Sequence, residues 1–149
     1  MTTTARILAV DRNQRNLELL TQFLSTKGFQ LVTINGLEQF DRIFTTAPPI
    51  QAALIDISGF DRRIWTHCKV LCDRQIPFLI LSSYYSSQIQ QVSLAAGACR
   101  MLVKPLVISE LVGLLQRLVE PPIAASPIIA PQSLNLSITE PPIPSPPTA

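Results

Sequence analysis

The sequence predicts an α/β protein: five parallel strands alternating with five helices in a doubly wound (βα)₅ sheet of strand order 2-1-3-4-5. Three observations carry this. Short β-like runs alternate five times with amphipathic stretches, and the connections are short. The runs Ile7-Leu8-Ala9-Val10 and Phe78-Leu79-Ile80-Leu81 are apolar without alternation, as strands covered on both faces must be. Acidic, hydroxyl and basic residues stand at the ends of successive runs, where an open parallel sheet of this kind places its working site.

The strands are expected at residues 6–10, 30–34, 52–56, 78–81 and 100–103. The first helical stripe is Leu17, Leu20, Phe23 and Leu24, stopped by Gly28. Leu37, Phe40, Ile43 and Phe44 make the second, stopped by Pro48-Pro49. Ile64, Trp65, Cys68 and Leu71 make the third, with Trp65 expected to pack the helix on the sheet. The fourth is Ile89, Val92 and Ala96, closed by Gly97, with Tyr84 and Tyr85 at its start. The fifth is Leu111, Leu114, Leu115 and Leu118, ended by Pro121-Pro122.

Of 149 residues, 47% are hydrophobic and 15% charged, enough to fold one domain. The net charge is +2, and acids are interspersed with bases, so no nucleic-acid groove is expected. The odd set Cys68, Cys72 and Cys99, with no secretory leader, is read as reduced thiols in a cytoplasmic protein. Cys68 and Cys72 lie four apart beside the lone His67, and core cysteines are preferred there to a metal pair. Uncharged stretches at 75–99 and 121–139 are each interrupted, the first by Ser82 to Gln88 and the second by four prolines, so no membrane span is expected.

Two segments are expected, a folded domain at 1–120 and a proline-rich tail at 121–149 holding nine of the thirteen prolines. Within the tail, Ser133 to Ile138 alternates polar and apolar. Linker and strand-adding peptide both remain open there, the latter through Leu134, Leu136 and Ile138.

Asp11 follows the first strand, Asp56 ends the third, Ser82 follows the fourth and Lys104-Pro105 follows the fifth. A carboxylate facing a groove is a nucleophile toward phosphorus, and a flanking hydroxyl and ammonium neutralise the phosphoryl oxygens. The alternative is a solvated, salt-bridged patch of strand ends.

These pieces resemble the CheY-like receiver domains of bacterial two-component response regulators. The resemblance covers about residues 5 to 119. It rests on Ile7-Leu8-Ala9-Val10-Asp11, Ala53-Leu54-Ile55-Asp56, Pro77 to Ser82, Ala96-Gly97-Ala98 and Val103-Lys104-Pro105-Leu106. It implies a flavodoxin-like fold, with Asp56 as phosphoacceptor, Ser82 as switch hydroxyl and Lys104 as phosphate contact through a cis bond to Pro105. It also implies Asp11 and Asp56 as acids of a Mg²⁺ site. The implied partners are a histidine kinase or phosphotransfer protein, and an output protein met through the fourth helix, fifth strand and fifth helix, with Tyr84 and Tyr85 as candidate contacts.

Three departures stand out. Arg12 replaces the second acid, which in the family is the direct Mg²⁺ ligand. Ser58-Gly59-Phe60-Asp61-Arg62-Arg63 replaces the usual loop after the phosphoacceptor. Met101 replaces an aromatic switch residue. The Mg²⁺ site is therefore expected to be weak. Arg12 either pairs with Asp56, mimicking an occupied site, or points outward to solvent, leaving a weak metal site of Asp11, Asp56 and a backbone carbonyl.

Two functions follow: a single-domain response regulator phosphorylated on Asp56, or a phosphorylation-independent pseudo-receiver that acts as an interaction module. Neither is an enzyme. A flavodoxin-like cofactor enzyme is set aside, because 11–16 holds no glycine and begins with an acid that repels phosphate.

Overall fold

The computed structural model describes residues 4–46 and 49–120. The proposed tail at 121–149, including Ser133 to Ile138, lies outside the described residues.

The strands are β1 (Ala5–Val10), β2 (Phe29–Ile34), β3 (Ala52–Asp56), β4 (Phe78–Ser82) and β5 (Arg100–Val103). All pair in parallel in the order β2-β1-β3-β4-β5, as expected. The helices are α1 (Gln14–Ser25), α2 (Phe40–Thr46), α3 (Arg63–Asp73), α4 (Ser87–Ala95) and α5 (Ile108–Val119). A 3₁₀ turn, Leu37–Gln39, takes the first part of the stripe that the sequence assigns wholly to the second helix.

The sheet divides two cores by the two-residue period of its side chains. Leu8, Val10, Ala53, Ile55, Phe78 and Ile80 face one way, onto Phe40, Ile64 and Leu71 of α2 and α3. Ile7, Leu54, Leu79 and Leu81 face the other, onto Leu24, Leu111 and Leu115 of α1 and α5. β3 and β4 are buried at every position, which is why their sequences carry no polar alternation.

Helix starts follow local chemistry. The Asn13 side chain accepts from the Asn16 amide at 3.2 Å to cap α1, and Ser86 does the same for Ile89 and α4. Before α3, Asp61 Oδ1 accepts from the Arg63 amide at 2.9 Å. Gly97 has φ +105°, and a Cβ there would stand 2.7 Å from Cys72 Sγ, so both conformation and space demand glycine before β5.

Several packing expectations need correction. Phe23 is half exposed, because Leu17 and Leu24 already fill the face of α1 that meets the sheet. In α4 the inward residue is Ser93, whose hydroxyl donates to the Ile89 carbonyl at 2.7 Å, while Val92 faces solvent. The small, self-satisfied serine lets α4 lie close, a choice that an apolar-stripe reading misses. Tyr84 and Tyr85 stand in the β4–α4 loop before the Ser86 cap, not on the helix. Cys68 is buried, and desolvation pushes its thiol up to about 12. Cys72 is exposed, against the core reading, and so is Cys99. Among the described residues no group of three His, Cys, Asp or Glu comes together, and no helix is long and apolar enough to cross a membrane.

Candidate functional site

The register sets the site. Val10 pairs with Ile55, so Asp11 and Asp56 follow on neighbouring strand ends, and Ser82 pairs with Val103, one residue before Lys104. The Lys104 amide donates to the Ser82 carbonyl at 2.9 Å, carrying the ladder one step past β5. The Lys104–Pro105 bond is cis.

Asp56 is 1% exposed and Asp11 4% exposed. Asp56 Oδ1 accepts from the Ser58 amide at 2.9 Å, and Oδ2 meets the Lys104 ammonium. Lys104 keeps 29% of its side chain exposed, so the pair is sealed on the acid's side and open on the base's. Asp11 Oδ1 accepts from the Asn13 amide at 2.8 Å, the turn that leads into α1. Asp11, Asp56 and Lys104 together line a cavity of about 210 Å³ whose remaining wall is largely apolar, from Leu20, Phe23, Pro105 and Leu106 among others.

Burial raises the Asp11 carboxyl above its ordinary value, and the Asp56 charge raises it further. The Asn13 amide, the Asn16 side chain and Lys104 act in the opposite sense. An acid held above its unfolded value penalises the folded state once it ionises, and the penalty vanishes below the unfolded pKa. Asp11→Asn is therefore expected to raise the urea midpoint at pH 7, with the gain fading as pH falls through the raised folded value and gone by about 4. An equal gain at pH 3 and pH 7 would assign it to packing rather than charge.

Ser82 is buried beside Asp56, but its hydroxyl is engaged locally. It donates to the Tyr84 carbonyl at 2.7 Å and accepts from the Tyr84 amide at 3.3 Å. It lines a separate cleft of about 510 Å³ with Phe60, Trp65 and Tyr84, rather than the Asp11–Asp56–Lys104 cavity. Trp65 is half-buried there, partly packed on the core as expected. Ser58 Oγ and Ser83 Oγ, 2.7 Å apart, join the two loops that flank Asp56. Sequence reasoning missed this bridge, since a serine pair separated by 25 residues carries no local signal.

Of the two open readings for Arg12, the structure shows the outward one. Its guanidinium carbon lies 5.7 Å from the Phe60 ring centroid, and Asp56 pairs with Lys104 instead. The site then holds two carboxylates and one ammonium, a net single negative charge. A divalent cation finds only Asp11 and the lysine-bound Asp56, and the third place is an arginine with no oxygen to give. Two carboxylates, one of them already held by lysine, make a weak donor set for Mg²⁺.

No family model matches the chain, and no curated protein matches it in sequence. Solved structures do. A response regulator from Thermotoga maritima superposes with TM-score 0.69 at 16% identity, covering 78% of this chain and 98% of that one. A two-component response regulator from Clostridium difficile gives 0.69 at 23%, covering 77% and 95%. The chemotaxis protein CheY4 of Vibrio cholerae gives 0.67 at 23%, covering 78% and 99%. At these identities the likeness is one of fold, and it agrees with the strand order and helix placement described above. The chain has the fold of a CheY-like response-regulator receiver domain.

Proposed function

We propose that this domain is a response-regulator receiver that accepts a phosphoryl group on Asp56 and signals through protein contact. The observation that carries the reading is Asp56 itself. It is an almost fully buried carboxylate at the end of a central strand, fixed by the Ser58 amide and set against a lysine. Such a group is oriented for attack, and the lysine stands ready for the phosphoryl oxygens. In the step, an Asp56 oxygen bonds to phosphorus while the bond from phosphorus to the donor's leaving atom breaks, and the leaving group keeps that electron pair. With acetyl phosphate the products are the aspartyl phosphate and acetate. In a signalling pathway the donor is a histidine kinase or phosphotransfer protein. Output runs through α4, β5 and α5: Val92 and Leu94 on α4, Val103 on β5 and Val107 just before α5 are exposed, as are Tyr84 and Tyr85 before α4.

The pseudo-receiver remains a second reading, favoured by two observations: the Ser82 hydroxyl already bonded to Tyr84, and Arg12 in place of an acid. Intact-protein mass spectrometry after incubation with acetyl phosphate separates the two. The receiver reading expects a phosphoryl adduct on the wild type that Asp56→Asn lacks. No adduct with or without Mg²⁺, or an equal one on Asp56→Asn, makes the pseudo-receiver the answer.

A further inference from the structure

We propose that Arg12 supplies to the phosphoryl oxygens the positive charge that a divalent cation would otherwise bring, so that the site takes up its oxyanion without metal. This rests on the reading of Asp56 as phosphoacceptor. Arg12 directly follows Asp11, whose buried carboxyl senses the charge of Asp56. Its side chain runs along Gly59 and Phe60, the loop whose Ser58 amide holds Asp56. Gly59 has φ +83°, and a Cβ there would lie 3.3 Å from Arg12 Cγ, so the glycine leaves a track for the arginine.

The guanidinium is also unclaimed. Among the described residues it makes a cation–π approach to Phe60 and no ion pair. Asp61, the acid that feels its charge, is already held by Arg63 through hydrogen bonds of 3.0, 3.1 and 3.2 Å. Arg12 points outward and does not line the Asp11–Asp56–Lys104 cavity, so the guanidinium must turn inward, exchanging its exposed cation–π contact for a bidentate phosphate pair, which its planar, permanent charge fits. The need for it is electrostatic. Two carboxylates against one ammonium already leave a negative charge, and an incoming phosphoryl dianion deepens it where the donor set for a metal is weak.

The test measures acetyl phosphate uptake in EDTA by the wild type, Arg12→Gln and Arg12→Lys. In parallel, the Arg12 Nε–Hε resonance is followed as inorganic phosphate is added in EDTA. Arg12 is exposed, so both variants are expected to fold, which circular dichroism checks. The wild-type rate should be the same in EDTA and in Mg²⁺. Arg12→Gln should lose on the order of 10² in rate, as when one oxyanion donor is removed. Arg12→Lys should retain part of the rate, and phosphate should shift the Arg12 signal.

A wild type that needs Mg²⁺, an Arg12→Gln as fast as wild type, or an Arg12 signal unmoved by phosphate would overturn the proposal. Absence of any adduct in every protein, with and without Mg²⁺, would remove the phosphoacceptor reading instead. The phosphate-induced shift then decides alone whether Arg12 is an oxyanion ligand.

Discussion

Replacing Lys104 by Met should lower the stability of the domain by about 3 kcal/mol, among the larger losses available outside the core. The substitution keeps the length and apolar stem of the side chain but leaves Asp56, 1% exposed, with no cation. The Ser58 amide satisfies one carboxylate oxygen, and the other is left facing Asp11 in an otherwise largely apolar cavity. The loss stays at the lower end for a broken buried pair because Lys104 is 29% exposed, so water reaches the vacated side. Asp56→Asn in the same chain should return most of it, since a neutral amide needs no counter-charge. Denaturant midpoints of the four proteins in this double-mutant cycle measure the coupling. Strict additivity would mean that the two side chains do not depend on each other.

Arg12→Asp should tighten Mg²⁺ binding roughly thirtyfold or more. At an assumed separation of roughly 8 Å in a water-like dielectric, a change of two charge units is worth about 2 kcal/mol to a divalent ion. The new carboxylate also adds an oxygen ligand beside Asp11 and Asp56. The lone tryptophan, Trp65, lines the cleft beside the β3–α3 loop and offers a fluorescence readout for the titration. The same variant should turn phosphoryl uptake from a metal-insensitive into a metal-dependent reaction, slow in EDTA and fast in Mg²⁺. Equal Mg²⁺ affinity in wild type and variant would show that position 12 stands too far from the site to matter to a metal.

The strands, their order and their polar ends were legible because each strand is an apolar run that stops on a polar residue. Buried parallel strands have no other way to be written. Asp11, Asp56 and Lys104 fell into one cavity for that reason: register follows from the runs, and the ends follow from register. What the sequence left open were choices between partners of comparable worth. Arg12 had both Asp56 and solvent available, and the outcome turned on Phe60 and Gly59, in a loop whose path no periodicity encodes. The Ser82 hydroxyl had the site and its own loop, and the nearby Tyr84 carbonyl took it. Ser93 lies on the buried face of α4 because a serine can return its hydroxyl to the helix backbone, a possibility that hydrophobic spacing does not count. Phe23 reads as core by its spacing, yet it borders the Asp11–Asp56–Lys104 cavity and stays half exposed.

The most direct test of the phosphoacceptor reading is chemical. An aspartyl phosphate is a mixed anhydride, and borohydride reduces it to homoserine while leaving free carboxylates unchanged. The protein is incubated with acetyl phosphate, reduced, digested and sequenced by mass spectrometry. The account predicts homoserine at position 56 and at no other acid. Homoserine elsewhere, or none in both the wild type and Mg²⁺-loaded Arg12→Asp, would contradict it.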